Sequence, residues 1–163
     1  MKNANIKKIV ISIFILLSIF LFDRISKILI LNILEDTGRV DIYINSFLNF
    51  FLVWNKGIGF GLLSSDQVYF YNIVTALIIF INFVIIYLLF VEKGLKFYFF
   101  LVILGGSLGN LFDRVYYSAV PDFIDLNYNG YHWFIFNVAD IFITIGIILL
   151  ILEEFISYKK PNE

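Results

Sequence analysis

Apolar residues run through this chain in four long blocks, roughly residues 9–33, 68–91, 97–113 and 137–156. Each is near the ~20 residues that a helix needs to cross a bilayer. The pattern predicts a membrane all-α bundle of four transmembrane helices, forming a single domain over residues 1–163. Two longer connections, residues 34–67 and 114–136, fall on one side of the bundle, and the short Glu92 to Lys96 turn falls on the other. Within the first connection, Val40 to Trp54 partly alternates between apolar and polar and is rich in β-branched and aromatic residues. It predicts short strands on the membrane surface, a small extracytoplasmic β-rich cradle. Gly57, Gly59 and Gly61 follow, a weak signal for tight turns or close backbone approach to a ligand. Lys2, Lys7 and Lys8 before the first block also suit a signal peptide, but the block continues past Asp23 without an A-x-A-like cleavage site, so a retained helix is expected.

Composition agrees: 61% hydrophobic residues, 15% charged and a mean hydropathy of +0.91 exclude a soluble domain of 163 residues. A net charge of -1 with scattered basic residues excludes a nucleic-acid partner. With no cysteine and one histidine, His132, there is no material for disulfides, thiolate metal sites, a cysteine nucleophile or a multi-histidine metal site. Neither cofactor nor metal is expected, and any catalysis falls to carboxylates. Lysines gather at the amino terminus, the Glu92 to Lys96 turn and the carboxyl tail (Lys159, Lys160), against Arg39 and Lys56 elsewhere. The positive-inside rule therefore puts both termini in the cytoplasm.

Polar residues interrupt the apolar blocks near one end. A carboxylate at the centre of a hydrocarbon layer costs at least ~2.5 kcal/mol, so several together suggest function. Rising ~1.5 Å per residue from the inner boundary places Asp23, Asp113 and Asp140 about 21, 24 and 20 Å up, on one level beside the connection that carries Asp122. A site just under the outer surface is expected.

Each group also has a structural reading. Asp23 and Lys27 stand at i, i+4, where an ion pair either supports a site or lets a charged helix end tolerate lipid. Asp113 beside Arg114 reads as a structural pair at a helix end. Gly105 and Gly109 form a small-xxx-small face for helix packing. His132, between Tyr131 and Trp133, reads as an interfacial loop residue, and Asn82 as a hydrogen-bonding partner for a neighbouring helix. Asp122 and Asp140 are different, because neither has a cation within helical reach in sequence. Two carboxylates sharing a proton can split an amide with water: the anion takes water's proton and the neutral acid polarises the carbonyl. Intramembrane acids with asparagine partners also mark ion pathways, so a small proton- or cation-coupled transporter is the alternative, and a non-catalytic assembly subunit a third class. Against transport, the inner halves of the blocks offer only Asn82 and Thr144 as polar steps.

The motifs Asp23-x-x-Ser26-Lys27, Asn55-x-Gly57-x-x-Phe60, Gly105-Gly106-x-x-Gly109-Asn110-x-x-Asp113-Arg114, Val120-Pro121-Asp122-Phe123 and Phe136-Asn137-x-Ala139-Asp140 resemble, in this order, those of the bacterial lipoprotein signal peptidases, or signal peptidase II. The resemblance covers nearly the whole chain. It implies an aspartic endopeptidase of the bacterial inner membrane that removes signal peptides from diacylglyceryl-modified prolipoproteins, cutting before the lipidated cysteine. It implies Asp122 and Asp140 as the catalytic dyad, with Asp23, Lys27, Asn55, Gly57, Asn110, Asp113, Arg114 and Asn137 binding substrate or supporting the site. Membrane lipid and globomycin-type inhibitors are the further implied partners. Pro121, Ile58 and Gly59 depart from the family pattern without removing a chemical group. If the last helix starts near Asn137, Asp140 lies in its first turn, where unpaired N–H groups favour an anion. Asp140 is then expected to be the base and Asp122 to carry the proton.

Overall fold

A computed structural model describes residues 2–57, 68–128 and 131–158. Ile58, Gly59, Phe60, Gly61, Lys159 and Lys160 lie outside the described residues. The elements are α1 (Lys2–Thr37), β1 (Asp41–Asn45), β2 (Leu48–Asn55), α2 (Val68–Val91), α3 (Gly94–Tyr117), β3 (Val120–Tyr128), β4 (Tyr131–Phe136) and α4 (Val138–Tyr158). Three segments, Ile6–Thr37, Val68–Val91 and Gly94–Tyr117, are long and apolar enough to cross a membrane. Their large side chains face outward, Phe14, Phe22, Phe80, Phe83 and Phe90 among them, as expected where lipid is the solvent. The chain is a multi-pass membrane protein.

The helices outrun their predicted bounds because their flanks remain helical after hydropathy falls. Charged and polar residues such as Lys7, Glu35 and Asp36 continue α1 at both ends. Gly94, with φ of 64°, allows the two-residue connection from α2 to α3. Ser118, also left-handed at φ 58°, ends α3 and turns the chain into β3. The second connection, expected as a loop, therefore contains two strands.

Helix α3 is central and packs on the other three, most extensively on α4. Its glycines make this approach possible. A Cβ at Gly106 would stand 2.6 Å from the Ala139 carbonyl oxygen, and one at Gly109 2.6 Å from Asp23 Oδ2. Gly105 lies against Ile19 of α1, as its small-residue spacing predicted. Ile85, Ile103 and Leu104 form the buried centre of the helical part, while Ile30, Val40 and Phe123 tie α1 to the sheet. Asn82 does not bridge helices as expected: its Nδ2 donates to the Ile78 carbonyl at 3.0 Å, one turn back in α2.

The strands form one antiparallel sheet in the order β1-β2-β3-β4. Strand β3 is its inner spine, pairing Asp122 with Val53 of β2 and Asp125 with Ile135 of β4. Pro121 is tolerated within β3 opposite Trp54, next to a register shift in β2 between Phe50 and Val53. A single residue, Asn137, separates β4 from α4. That short link delivers the first turn of α4 directly beneath the sheet.

Candidate active site

The ten candidate site residues are joined by hydrogen bonds where the sheet meets α1, α3 and α4. The innermost layer is ionic. Lys27 is fully buried and its Nζ donates to Asp23 Oδ2 at 2.9 Å, Asp113 Oδ2 at 2.6 Å and Asn110 Oδ1 at 2.8 Å. Its three donors are thereby committed, which an ammonium in an apolar bundle requires. Arg24, absent from the sequence-based candidates, adds a second cation, with Nη1 2.6 Å from Asp113 Oδ1 and its guanidinium over the Phe112 ring. Asp23 reaches further: its Oδ1 accepts the Ala139 N–H at 3.0 Å, capping the start of α4 from a different helix. The Asp23 and Lys27 pair is thus both an ion pair and part of the site. Asp113 and Arg114, expected to pair with each other, diverge instead. On a helix, adjacent side chains point about 100° apart. Asp113 turns to Lys27 and Arg24, whereas Arg114 Nη2 donates to the Gly57 carbonyl.

The next layer consists of three asparagines, each oriented by a partner that can only donate. The Gly57 N–H holds Asn55 Oδ1 at 2.7 Å, so Asn55 Nδ2 faces Asp122 Oδ2 at 2.8 Å. The Asp140 N–H holds Asn137 Oδ1 at 3.1 Å, so Asn137 Nδ2 faces Asp122 Oδ1 at 2.6 Å. Lys27 holds Asn110 Oδ1, so Asn110 Nδ2 faces Asp140 Oδ1 at 2.8 Å. Amide orientation is ordinarily ambiguous, but a backbone N–H or an ammonium on one end removes the choice. The Asn137 N–H completes the set at 3.2 Å from Asp140 Oδ2. Asn137 therefore touches both carboxylates, through its side chain and its backbone.

Asp122 and Asp140 are both buried, at 2% and 6% exposure. Burial, with the negative charge of Asp140 as the second cause, raises the Asp122 carboxyl from its ordinary value to about 7, and the Asn55 and Asn137 amides oppose that rise. From sequence, Asp122 shows no donor comparable to a helix terminus; the structure supplies two from separate elements. Beside Asp140 a cavity of about 220 Å³ opens between Phe136, Ile141, Thr144 and Ile145. It gives an apolar molecule a route to a carboxylate.

His132 does not lie in a loop. It sits on β4, where its Nδ1 stands 2.8 Å from Oδ2 of the buried Asp125. Strand placement could have been found from the aromatic and β-branched run Tyr131 to Phe136, but its partnership with Asp125 depends on register. Arg24 had a plainer signal, a charge within an apolar helix. Among the described residues no group of acids, histidines or cysteines is spaced to hold a metal ion.

Against known proteins, the family model for Signal peptidase (SPase) II matches residues 15–156. The Lipoprotein signal peptidase of Pelagibacter ubique (strain HTCC1062) is 51% identical over 164 residues, spanning 100% of this chain and 99% of its own. That of Aquifex aeolicus (strain VF5) is 38% identical over 149 residues, 90% of this chain and 86% of its own. A solved bacterial membrane enzyme, determined by the in meso method at 2.3 Å resolution, superposes with a TM-score of 0.72 at 32% identity, covering 93% of each chain. Since the family model covers most of the chain and a relative aligns end to end at half identity, the chain belongs to the signal peptidase II family.

Proposed function

We propose that this chain is an intramembrane aspartic endopeptidase that removes signal peptides from diacylglyceryl-modified prolipoproteins, cutting before the lipidated cysteine, with Asp122 and Asp140 as its catalytic dyad. The observation that carries the reading is the pair of buried carboxylates brought together by Asn137, each oxygen met by an oriented donor. An ion pathway would need polar steps across the bundle; instead the charges gather at one end.

The two acids divide the work by their donors. Asp140 receives a backbone N–H and an amide polarised by the Lys27 ammonium, so it holds the negative charge and takes the proton from water. Asp122 receives only neutral side-chain amides and keeps the shared proton, which it gives to the scissile carbonyl as water's oxygen bonds to the carbon. Collapse of that tetrahedral species breaks the C–N bond as the proton held by Asp140 passes to the leaving amine and one hydroxyl proton returns to Asp122, restoring the dyad. Asp23, Lys27, Asn110, Asp113, Asn55, Gly57 and Asn137 hold this arrangement, and Arg114 anchors the Gly57 turn.

The setting follows from the substrate. Helix α4, at 21 residues about 31 Å long, completes a four-helix bundle in the bacterial inner membrane, with both termini cytoplasmic and the dyad near the outer face. A lipid on the cysteine beside the scissile bond presents that bond at the leaflet surface. The apolar signal helix then enters past Ile141 and Ile145, the sheet cradles the lipid-proximal segment, and globomycin-type inhibitors compete there. The test is cleavage of a lipidated prolipoprotein by purified protein, followed by gel shift. Asp122→Asn and Asp140→Asn should each lose ~10²- to 10⁴-fold in rate while remaining folded. Near wild-type processing by either would overturn the mechanism.

A further inference from the structure

The His132 and Asp125 pair lies outside the dyad and its supports, yet it occupies a place that the dyad depends on. Strand β3 carries Asp122, and β4 runs into Asn137 with no intervening residue. The relative register of these two strands therefore sets where Asn137 meets Asp122. That register is irregular: Asp125 opposes Ile135, but Asn127 opposes His132, so β4 carries one more residue than β3 across this stretch. Had β4 continued from Ile135 without the extra residue, His132 would oppose Tyr128 and point to the other face of the sheet. With it, His132 stands opposite Asn127, diagonal to Asp125 on the same face, and reaches Oδ2 at 2.8 Å. Nδ1 faces the carboxylate oxygen, the geometry in which the ring nitrogen donates and the oxygen accepts. Asp125 has strong reason to hold this contact. Its carboxylate is 2% exposed, Asn49 is a distant second donor at 3.4 Å, and Oδ1 is buried without a hydrogen-bond partner.

We infer that His132 and Asp125 are positioning residues for the peptidase reaction: their bond ties the turn end of β4 to β3 across the register shift, and so holds β4, with Asn137 at its end, against the strand that carries Asp122. The inference rests on the peptidase reading and adds to it a control of geometry from the sheet. It requires no contact between His132 and substrate.

The discriminating experiment measures kcat, KM and thermal unfolding together on the purified full chain with a diacylglyceryl-modified prolipoprotein. His132 is 59% exposed, so its substitutions leave the buried core intact. His132→Leu should lower kcat by roughly ten- to a hundredfold, the range expected for small misplacements in an active site, with KM changed less than about twofold. His132→Asn, whose Nδ2 stands near the place of Nδ1 and keeps an N–H for Asp125, should recover most of that rate. The double variant His132→Leu with Asp125→Leu removes both partners, so no buried carboxylate is left unpaired, and its unfolding temperature should return toward wild type while kcat stays low. Recovery of kcat along with stability in the double variant would overturn the inference, because the pair would then serve only the fold. So would a wild-type kcat for His132→Leu. Asp122→Asn serves as the separate control: activity in that variant refutes the peptidase dyad, whatever the His132 variants do.

Discussion

The raised Asp122 carboxyl makes a stability cost that can be measured apart from activity. In the unfolded chain this group ionises near its ordinary 3.8, and in the folded protein at about 7. Below pH ~4 both states hold the proton and the folded protein keeps its full stability. Between ~4 and ~7 the unfolded chain sheds the proton and the folded protein does not, so stability falls as pH rises; above ~7 both are ionised and the loss is complete. From pH 5 to 8 the folded state lags by about 2 units, or about 3 kcal/mol at ~1.4 kcal/mol per unit. Asp122→Asn cannot titrate and escapes this loss. Its amide must instead turn an NH₂ toward that of Asn55 or Asn137, a roughly pH-independent cost of about 1 to 3 kcal/mol. Thermal unfolding in detergent should therefore show the variant gaining on the wild type by about 6 to 12 °C between pH 5 and 8, at ~2 to 4 °C per kcal/mol for a chain of this size. Comparing the two proteins isolates Asp122 together with its repulsion by Asp140. A gap that stays constant across that range would refute the reasoning, because it would mean that Asp122 is not held neutral by burial.

Two further outcomes follow from the oriented amides and the chemistry of the acids. Adding Asn55→Asp to Asp122→Asn gives the new amide an acceptor while the Gly57 N–H remains satisfied, so the double variant should be inactive yet about 1 to 3 kcal/mol more stable than Asp122→Asn alone; equal or lower unfolding temperatures would show that amide direction does not matter here. Cleavage should persist in EDTA and after thiol-modifying reagents, since the chain has no cysteine and one histidine. Activity lost in EDTA and restored by a divalent cation would point to a carboxylate-metal hydrolase.

What could be read from sequence depended on the range of the interaction. Apolar block length foretold the helices, and helical rise brought Asp23, Asp113 and Asp140 to one level, because both are local properties of a regular element. The partners of those acids were another matter. That Lys27 spans Asp23 and Asp113 follows from α1 and α3 lying in contact at Gly109, a close approach visible only as a small residue in the sequence. Strand β3 was missed because Asp122 and Asp125 put buried polar residues into its alternation, and β4 because Tyr131 to Phe136 scarcely alternates at all. His132 was misplaced for the same reason: a one-residue register shift decides its face, and no periodicity reports it.

Charge counting links the helical layer to the dyad. Among the described residues, four buried acids, Asp23, Asp113, Asp122 and Asp140, and three buried bases, Arg24, Lys27 and Arg114, gather below the sheet. Fully ionised, they would carry one net negative charge in surroundings where an uncompensated charge costs several kcal/mol. One proton on the group restores neutrality. Asp23 and Asp113 are each met by both Arg24 and Lys27, whereas Asp122 and Asp140 meet amide donors, so the dyad is the place where a shared proton displaces no ion pair. A dyad holding a single proton is the state that amide hydrolysis by two carboxylates requires, one acid to give and one base to receive. Arg24 is decisive in that sum. Without it the same groups would carry one more negative charge and Asp113 would keep Lys27 as its one cation, so a residue that touches neither catalytic aspartate completes the charge balance of the layer beneath them.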